Sequence, residues 1–285
     1  MEMRSFKVIF NDVYGKGLMK YGFQKVKGLQ PYYARCIGDE IVHVITYREE
    51  YNSDPSAKDF VIFFGVATVY RKKIMFDEPT KYSNSWLSEL STICYKENYY
   101  PAHDRRAYEE MIPRWFTFVK ADEKSMMDAI KKSFELTEKY AIPILEKVTT
   151  LEDCMNHLFK YRASLLWVYE ASDAYVQRDI GYPHNEGLLS TVIYGQDRFE
   201  EYEKAKLRVY EESNDDTLYC INAGLWRLTM EQYRNEVMEK KELLKEQLNQ
   251  FKELLKPEWQ EKIRRELELR KENNTAILRE AGFEI

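Results

Sequence analysis

The stretch from Asp59 to Tyr70 constrains this fold more than any other part of the chain. Phe60, Ile62, Phe64 and Val66 fall on one side of an extended backbone, and Val61, Phe63, Ala67 and Val69 fall on the other. A strand that is apolar on both sides has no face to offer water, so it belongs in the middle of a sheet covered above and below. Its longest apolar run, Val61 to Tyr70, is about half of the roughly 20 residues that a membrane-spanning helix needs. Upstream, Tyr32 to Ile37 reads as a short strand and Gly38-Asp39 supplies hairpin-turn chemistry. In the next strand Ile41, His43, Ile45 and Tyr47 alternate with Val42, Val44 and Thr46, so the two pair antiparallel. A fourth strand, Pro113 to Val119, follows a long polar, tyrosine-rich connection from Arg71 to Glu110, a length that often carries function.

Helical periodicity brackets these strands. Phe6, Ile9, Phe10, Val13 and Tyr14 make one stripe, and Tyr21-Gly22-Phe23 ends it with a glycine C-cap. Gly15 and Gly17 weaken that helix by about 1 kcal/mol each, so packing or a close backbone approach must compensate. Asp122 caps a helix carrying Met127, Ile130 and Phe134, which Pro143 should break or kink. Thr149-x-x-Glu152 is a capping-box pattern for a helix with Cys154, His157, Leu158 and Tyr161. Two shorter helices are expected after Gly187. A last apolar stripe runs from Met230 to Leu267 over two long helices, with Pro257 in the first turn of the second. Glu236 with Lys240, Glu258 with Lys262, Glu261 with Arg265 and Glu266 with Arg270 are acid-first pairs that read as a solvated face.

The expected class is α+β: an N-terminal helix and a small, mostly antiparallel sheet, packed with a large helical C-terminal half. Residues 1–121 make the sheet domain and 122–285 the helical region; without a low-complexity linker the two can share one core.

Chemical signatures are sparse. With 43 basic against 48 acidic residues the net charge is -5, which draws the chain neither to nucleic acid nor to an anionic membrane. Cys36, Cys94, Cys154 and Cys220 form no C-x-x-C pair and read as reduced thiols in a cytoplasmic protein. The opening residues show no long apolar stretch with a small-residue cleavage site, which also favours the cytoplasm. Cys154 and His157 are only two ligands where zinc needs three or four, so no metal is expected, and no cofactor. Neither G-x-G-x-x-G nor a phosphate loop occurs: Gly17 and Gly22 have the loop's spacing, but Phe23-Gln24 follow in place of lysine and a hydroxyl residue. H-E-x-x-H and G-x-S-x-G are absent too.

Four histidines remain. His43 shares a sheet face with Ile41 and Ile45 and reads as a hydrogen-bonded core residue, and so does His157. His103 stands beside Arg105 and Arg106 in a loop that could hold an anionic group, although an exposed turn with arginines paired to Glu109 and Glu110 explains the same residues more plainly. His184 lies between Gly181 and Gly187 and could line a site or simply sit in a helix connection. Reactive side chains thus read as scattered. The 22 tyrosines stand out instead, with Tyr95, Tyr99 and Tyr100 clustered in the long connection. Tyrosine suits recognition because it offers a large contact area with few rotamers and a polar tip.

Several segments together resemble bacterial proteins of the domain of unknown function family 4304. They are the opening helix ending in Tyr21-Gly22-Phe23, the strand around Val61-Ile62-Phe63-Phe64, Arg114-Trp115-Phe116, and Tyr140-Ala141-Ile142-Pro143-Ile144-Leu145-Glu146 leading to Thr150-Leu151-Glu152. The likeness spans roughly the first 160 residues. It implies an intracellular bacterial α+β protein and transfers no activity and no active-site residues.

The leading expectation is a non-catalytic cytoplasmic interaction protein of the immunity or adaptor kind, binding a protein partner through Tyr95, Tyr99 and Tyr100 or through the helical stripe. The alternative is an enzyme or small-ligand binder for an anionic compound, using His103, Arg105 and Arg106, with or without His184. A homodimer through the C-terminal helices is a third arrangement, since an apolar helical stripe packs equally on its own domain or on a twin.

Overall fold

A computed structural model describes residues 4–26, 31–71, 74, 76, 87–91, 93, 112–113, 115–154, 157 and 256–285. The doubly apolar strand becomes β4, Ala57–Thr68, and it is central as expected. Strand β3, Ile41–Glu50, pairs with it from Ile41 opposite Thr68 to Glu50 opposite Asp59. Two short strands share its other edge: β5, Leu87–Glu89, beside Phe63–Gly65, and β6, Phe116–Val119, beside Ala57–Phe60. Beyond β3 lie β2, Tyr33–Ile37, and the two-residue β1, Gln24–Lys25. All pairings are antiparallel, in the order β1-β2-β3-β4-β5 with β6 also on β4.

Helices cover the face that carries Tyr47, Phe60, Ile62 and Phe64. The chain enters as α1, Phe6–Phe10, passes a π-helical turn, Asn11–Gly15, and resumes as α2, Lys16–Met19. Phe6 lies 5.2 Å from the Tyr47 ring, 5.0 Å from Phe60 and 4.9 Å from Phe118. Phe10 stacks on Tyr14 at 4.2 Å and meets Tyr47 at the same distance. Gly22, at φ 78°, ends α2 as expected: its N–H bonds the Met19 carbonyl and the Phe23 N–H bonds that of Leu18.

Asp122 caps α3, Glu123–Leu136, by accepting from the Lys124 and Ser125 N–H groups. The backbone then runs through a second π turn, Thr137–Ala141, into α4, Ile142–Glu146. Pro143 therefore does not break the helix; it sits in the first turn of α4, directly after the widened π turn, where its missing N–H disturbs least. The two π turns are joined through Tyr14, whose hydroxyl lies 3.0 Å from both Ser133 Oγ and Thr137 Oγ1. Ser133 and Thr137 donate in turn to the Ile130 and Ser133 carbonyls, so this buried hydroxyl cluster is closed within the protein.

Three further expectations change in detail. The capping box is Thr150-x-x-Asp153 and not Thr149-x-x-Glu152, because Asp153 accepts from the Thr149 and Thr150 N–H groups while Thr150 Oγ1 accepts from that of Asp153. The long connection after Arg71 contains β5, whose three residues show no strand pattern of their own and pair because β4 offers an edge. In the last helix, α5, Pro257–Glu280, Glu261 and Arg265 form the exposed pair foreseen, but Arg270 is 4% exposed and belongs to the buried side. Phe6, near the start, and Leu278 and Phe283, near the end, fall in one buried apolar cluster with the sheet.

A close approach explains Gly17. A Cβ there would stand 2.2 Å from Phe134 Cζ, and Phe134 meets the Tyr14 ring edge-on at 5.1 Å. Gly17→Ala should therefore lower stability by about 1–2 kcal/mol despite alanine's better helix propensity, as the displaced ring loses its packing. Urea unfolding checks this, and in a Phe134→Ala background the same substitution should cost nothing or stabilise.

Candidate functional site

Hairpin register creates the first cluster of chemistry-bearing side chains. With Ile37 opposite Ile41 across the Gly38 turn, Arg35 falls opposite His43 on the helix-covered face. Arg35 Nε donates to His43 Nδ1 at 3.1 Å, and His43 Nε2 lies 2.9 Å from the Val148 carbonyl oxygen. A carbonyl has no proton to give, so Nε2 carries the ring proton and Nδ1 is left as the acceptor. Arg35 Nη1 donates to the Tyr21 carbonyl at 2.7 Å, and its guanidinium lies 4.7 Å from the centre of the Phe23 ring. One imidazole and one guanidinium thus connect β2, β3, the cap of α2 and the segment after α4.

Electrostatics hold this cluster in one protonation state. His43 is fully buried, and burial, then the Arg35 charge, pull its pKa down to about 4 against a weaker opposing effect of the Val148 bond. Desolvation lowers Arg35 as well, opposed by the nearby Glu146 carboxylate. A general base needs a free lone pair aimed at a substrate proton. The Nδ1 lone pair of His43 points at Arg35 inside the core, so this imidazole is a structural bridge.

A second group gathers where β4 ends. Half-buried Arg71 follows that strand, and burial pulls its guanidinium to about 10 while the Cys154 thiol favours its charged form. Cys154 is fully buried, and His157, three residues on, is buried edge-on against Phe64 with ring centroids 5.9 Å apart. On the other side of the sheet, burial pushes the Cys36 thiol up to about 11, which leaves it protonated and a poor nucleophile. Among the described residues no three histidine, cysteine, aspartate or glutamate side chains come together as a metal site.

The expectation of scattered reactive groups is thus corrected at two places: Arg35 joins His43, and the Arg71 charge lies near the Cys154 thiol. Arg35 was the residue overlooked, and the turn at Gly38-Asp39 held the signal, because counting outward from it places residue 35 across from 43. His43 is the hydrogen-bonded core residue expected, and His157 is buried as expected, although its Nδ1 has no hydrogen-bond partner among the described residues. The candidates Tyr95, Tyr99, Tyr100, His103, Arg105, Arg106 and His184 lie outside the described residues. No described helix is long and apolar enough to cross a membrane.

Comparison with known proteins places no relative beside this chain: no family model, no curated protein and no solved structure matches it.

A pH dependence follows from His43. Its folded pKa lies below the ordinary value of about 6.5, so the unfolded chain takes up the proton first as pH falls. The bridge's contribution is intact above about pH 6.5 and is lost between there and about pH 4, by roughly 3 kcal/mol. Denaturant titrations at pH 7 and pH 4.5 should show a markedly larger acid loss in the wild type than in His43→Gln; equal losses would exclude this bridge as the source.

Proposed function

We propose that this chain is a non-catalytic, cytoplasmic protein-interaction module of the immunity or adaptor kind, whose partner is another protein. The supporting observation is the use to which its interior chemistry is put. His43 has both ring nitrogens bound to its own chain, Tyr14 is enclosed by Ser133 and Thr137, and Asn274 bonds the backbone of Val69, Arg71 and Ile74. These groups hold the framework and present nothing to a reacting molecule.

The exterior offers aromatic and apolar contact area instead. On β6, Phe116 and Phe118 point into the core, while Val119 stays 43% exposed beside Thr117, with Trp115 just before the strand at 52%. Backbone pairing at this edge is limited, since the Val119 N–H is taken by Ser125 Oγ at 3.0 Å, so side chains carry any contact made here. Tryptophan and tyrosine are the residues that most often anchor protein interfaces. Tyr95, Tyr99 and Tyr100 remain the proposed partner contacts, with Trp115 at the base of the same connection.

Affinity capture from native cells with tagged full-length protein, read by mass spectrometry, tests this. A protein retained by the wild type should fall at least about tenfold in yield with the combined Tyr95→Ala, Tyr99→Ala and Tyr100→Ala variant, or with Trp115→Ala. Undiminished capture by both variants would refute these contacts, and conversion of a small anionic compound by the purified protein would refute the non-catalytic assignment.

A further inference from the structure

The buried stripe of α5 is polar at its centre. Ile263, Leu267 and Leu278 are buried, and between them, at helical steps of three and four, stand Arg270 and Asn274 at 4% and 0% exposure. Asn274 Nδ2 donates to the Val69 and Arg71 carbonyls, each at 2.7 Å, and its Oδ1 accepts from the Ile74 N–H at 2.7 Å. Arg270 donates to Glu266 at 2.6 Å and reaches the Tyr70 carbonyl at 3.5 Å. Beside them Lys271 bonds Asp39 at 2.7 Å in the β2–β3 turn, and Tyr70 donates to Glu40 in the same turn. These contacts converge on Val69, Tyr70, Arg71 and Ile74, where the chain leaves β4, and on the β2–β3 turn beside them.

Apolar side chains at positions 270 and 274 would bury more oily surface and would tolerate sliding along the helix. An amide that must meet two carbonyls and one N–H fits in a single register, and a buried polar residue of this kind fixes register at some cost in stability. Removing the amide would leave the Val69 and Arg71 carbonyls and the Ile74 N–H each short of this bond. Helix α5 therefore adds a specific grip on the exit of β4 to the hydrophobic adhesion of Ile263, Leu267 and Leu278.

We propose that α5 is a strap that fixes the path of the chain out of β4, so that undocking of the helix and release of Val69, Tyr70, Arg71 and Ile74 are one event. Because that exit begins the connection bearing Tyr95, Tyr99 and Tyr100, the strap also sets where those tyrosines start from, a consequence that rests on the partner-binding proposal.

Hydrogen exchange of the full-length chain, read by mass spectrometry without any partner, tests the strap by itself. In Asn274→Ala, peptides covering 69–74 and 263–283 should exchange faster together, by at least about tenfold, while residues 42–47 of β3 keep wild-type protection. Lys271→Glu, a surface change that repels Asp39 and Glu40 and leaves the core intact, should accelerate the same two segments by a smaller factor. Acceleration of α5 alone, no change in either variant, or an equal rise in 42–47 in both would overturn the strap. Capture by the same variants reports separately on the tyrosines: absence of exchange coupling defeats the strap whatever the capture, and coupling with capture unchanged keeps the strap and defeats its link to the tyrosines.

Discussion

Everything in this architecture answers to the double-faced burial of β4. Its side chains from Phe60 to Ala67 leave almost no surface to solvent on either side, so neither face can be left uncovered. Burying a large apolar side chain contributes about 1.5–3 kcal/mol, which no arrangement exposing one of those faces could forgo. The N-terminal helical segment and α3 cover the side carrying Phe60 and Phe64, while the chain's last helix grips the strand's exit. Segments more than 250 residues apart in sequence are drawn together for this reason, as the bond from Gln24 Nε2 to the Gly282 carbonyl records.

Polar groups then decide how the covering pieces sit. Hydrophobic burial is indifferent to sliding by a turn; a hydrogen bond is not. Tyr14 fixes α1 and α2 against α3 through Ser133 and Thr137, His43 fixes the sheet against the segment after α4, and Asn274 fixes α5 against the exit of β4. In each case the bonded groups are more than 100 residues apart in sequence and fully or nearly fully buried. Leaving any one partner unmade would cost the full desolvation of the other, so these contacts select one packing among several of similar hydrophobic merit.

Much of this was legible in the residues. Period-two alternation in Ile41–Tyr47 and in Asp59–Tyr70, the turn at Gly38, the stop at Gly22 and the cap at Asp122 are local signals, and each matches the structure because a local conformation decides it. Where the outcome depends on a distant neighbour, local reading falls short. Leu87-Ser88-Glu89 becomes a strand by pairing with the edge of β4 beside Phe64, and Arg270 turns inward to Glu266 and the Tyr70 carbonyl. Thr150 displaces Thr149 as the cap because Asp153, not Glu152, lies within reach of two free N–H groups. Asn274 carries no periodic signal, being polar in an apolar stripe, and only the geometry shows what it holds.

The connection from Arg71 to Glu110 is fastened to the sheet at places the structure does show. It departs under the grip of Asn274 on Val69, Arg71 and Ile74, touches β4 again at Leu87–Glu89, and the chain returns through Phe116–Val119 onto the same edge of β4. Recognition loops work best on a framework that does not yield, because ordering a contact surface at the moment of binding subtracts from affinity. Three attachments to one buried strand hold the described parts of this connection to a single edge of the sheet. Here the interior's polar chemistry serves the fold: His43 bonds Arg35 and the Val148 carbonyl from inside the core, and so braces the sheet to which those attachments are made.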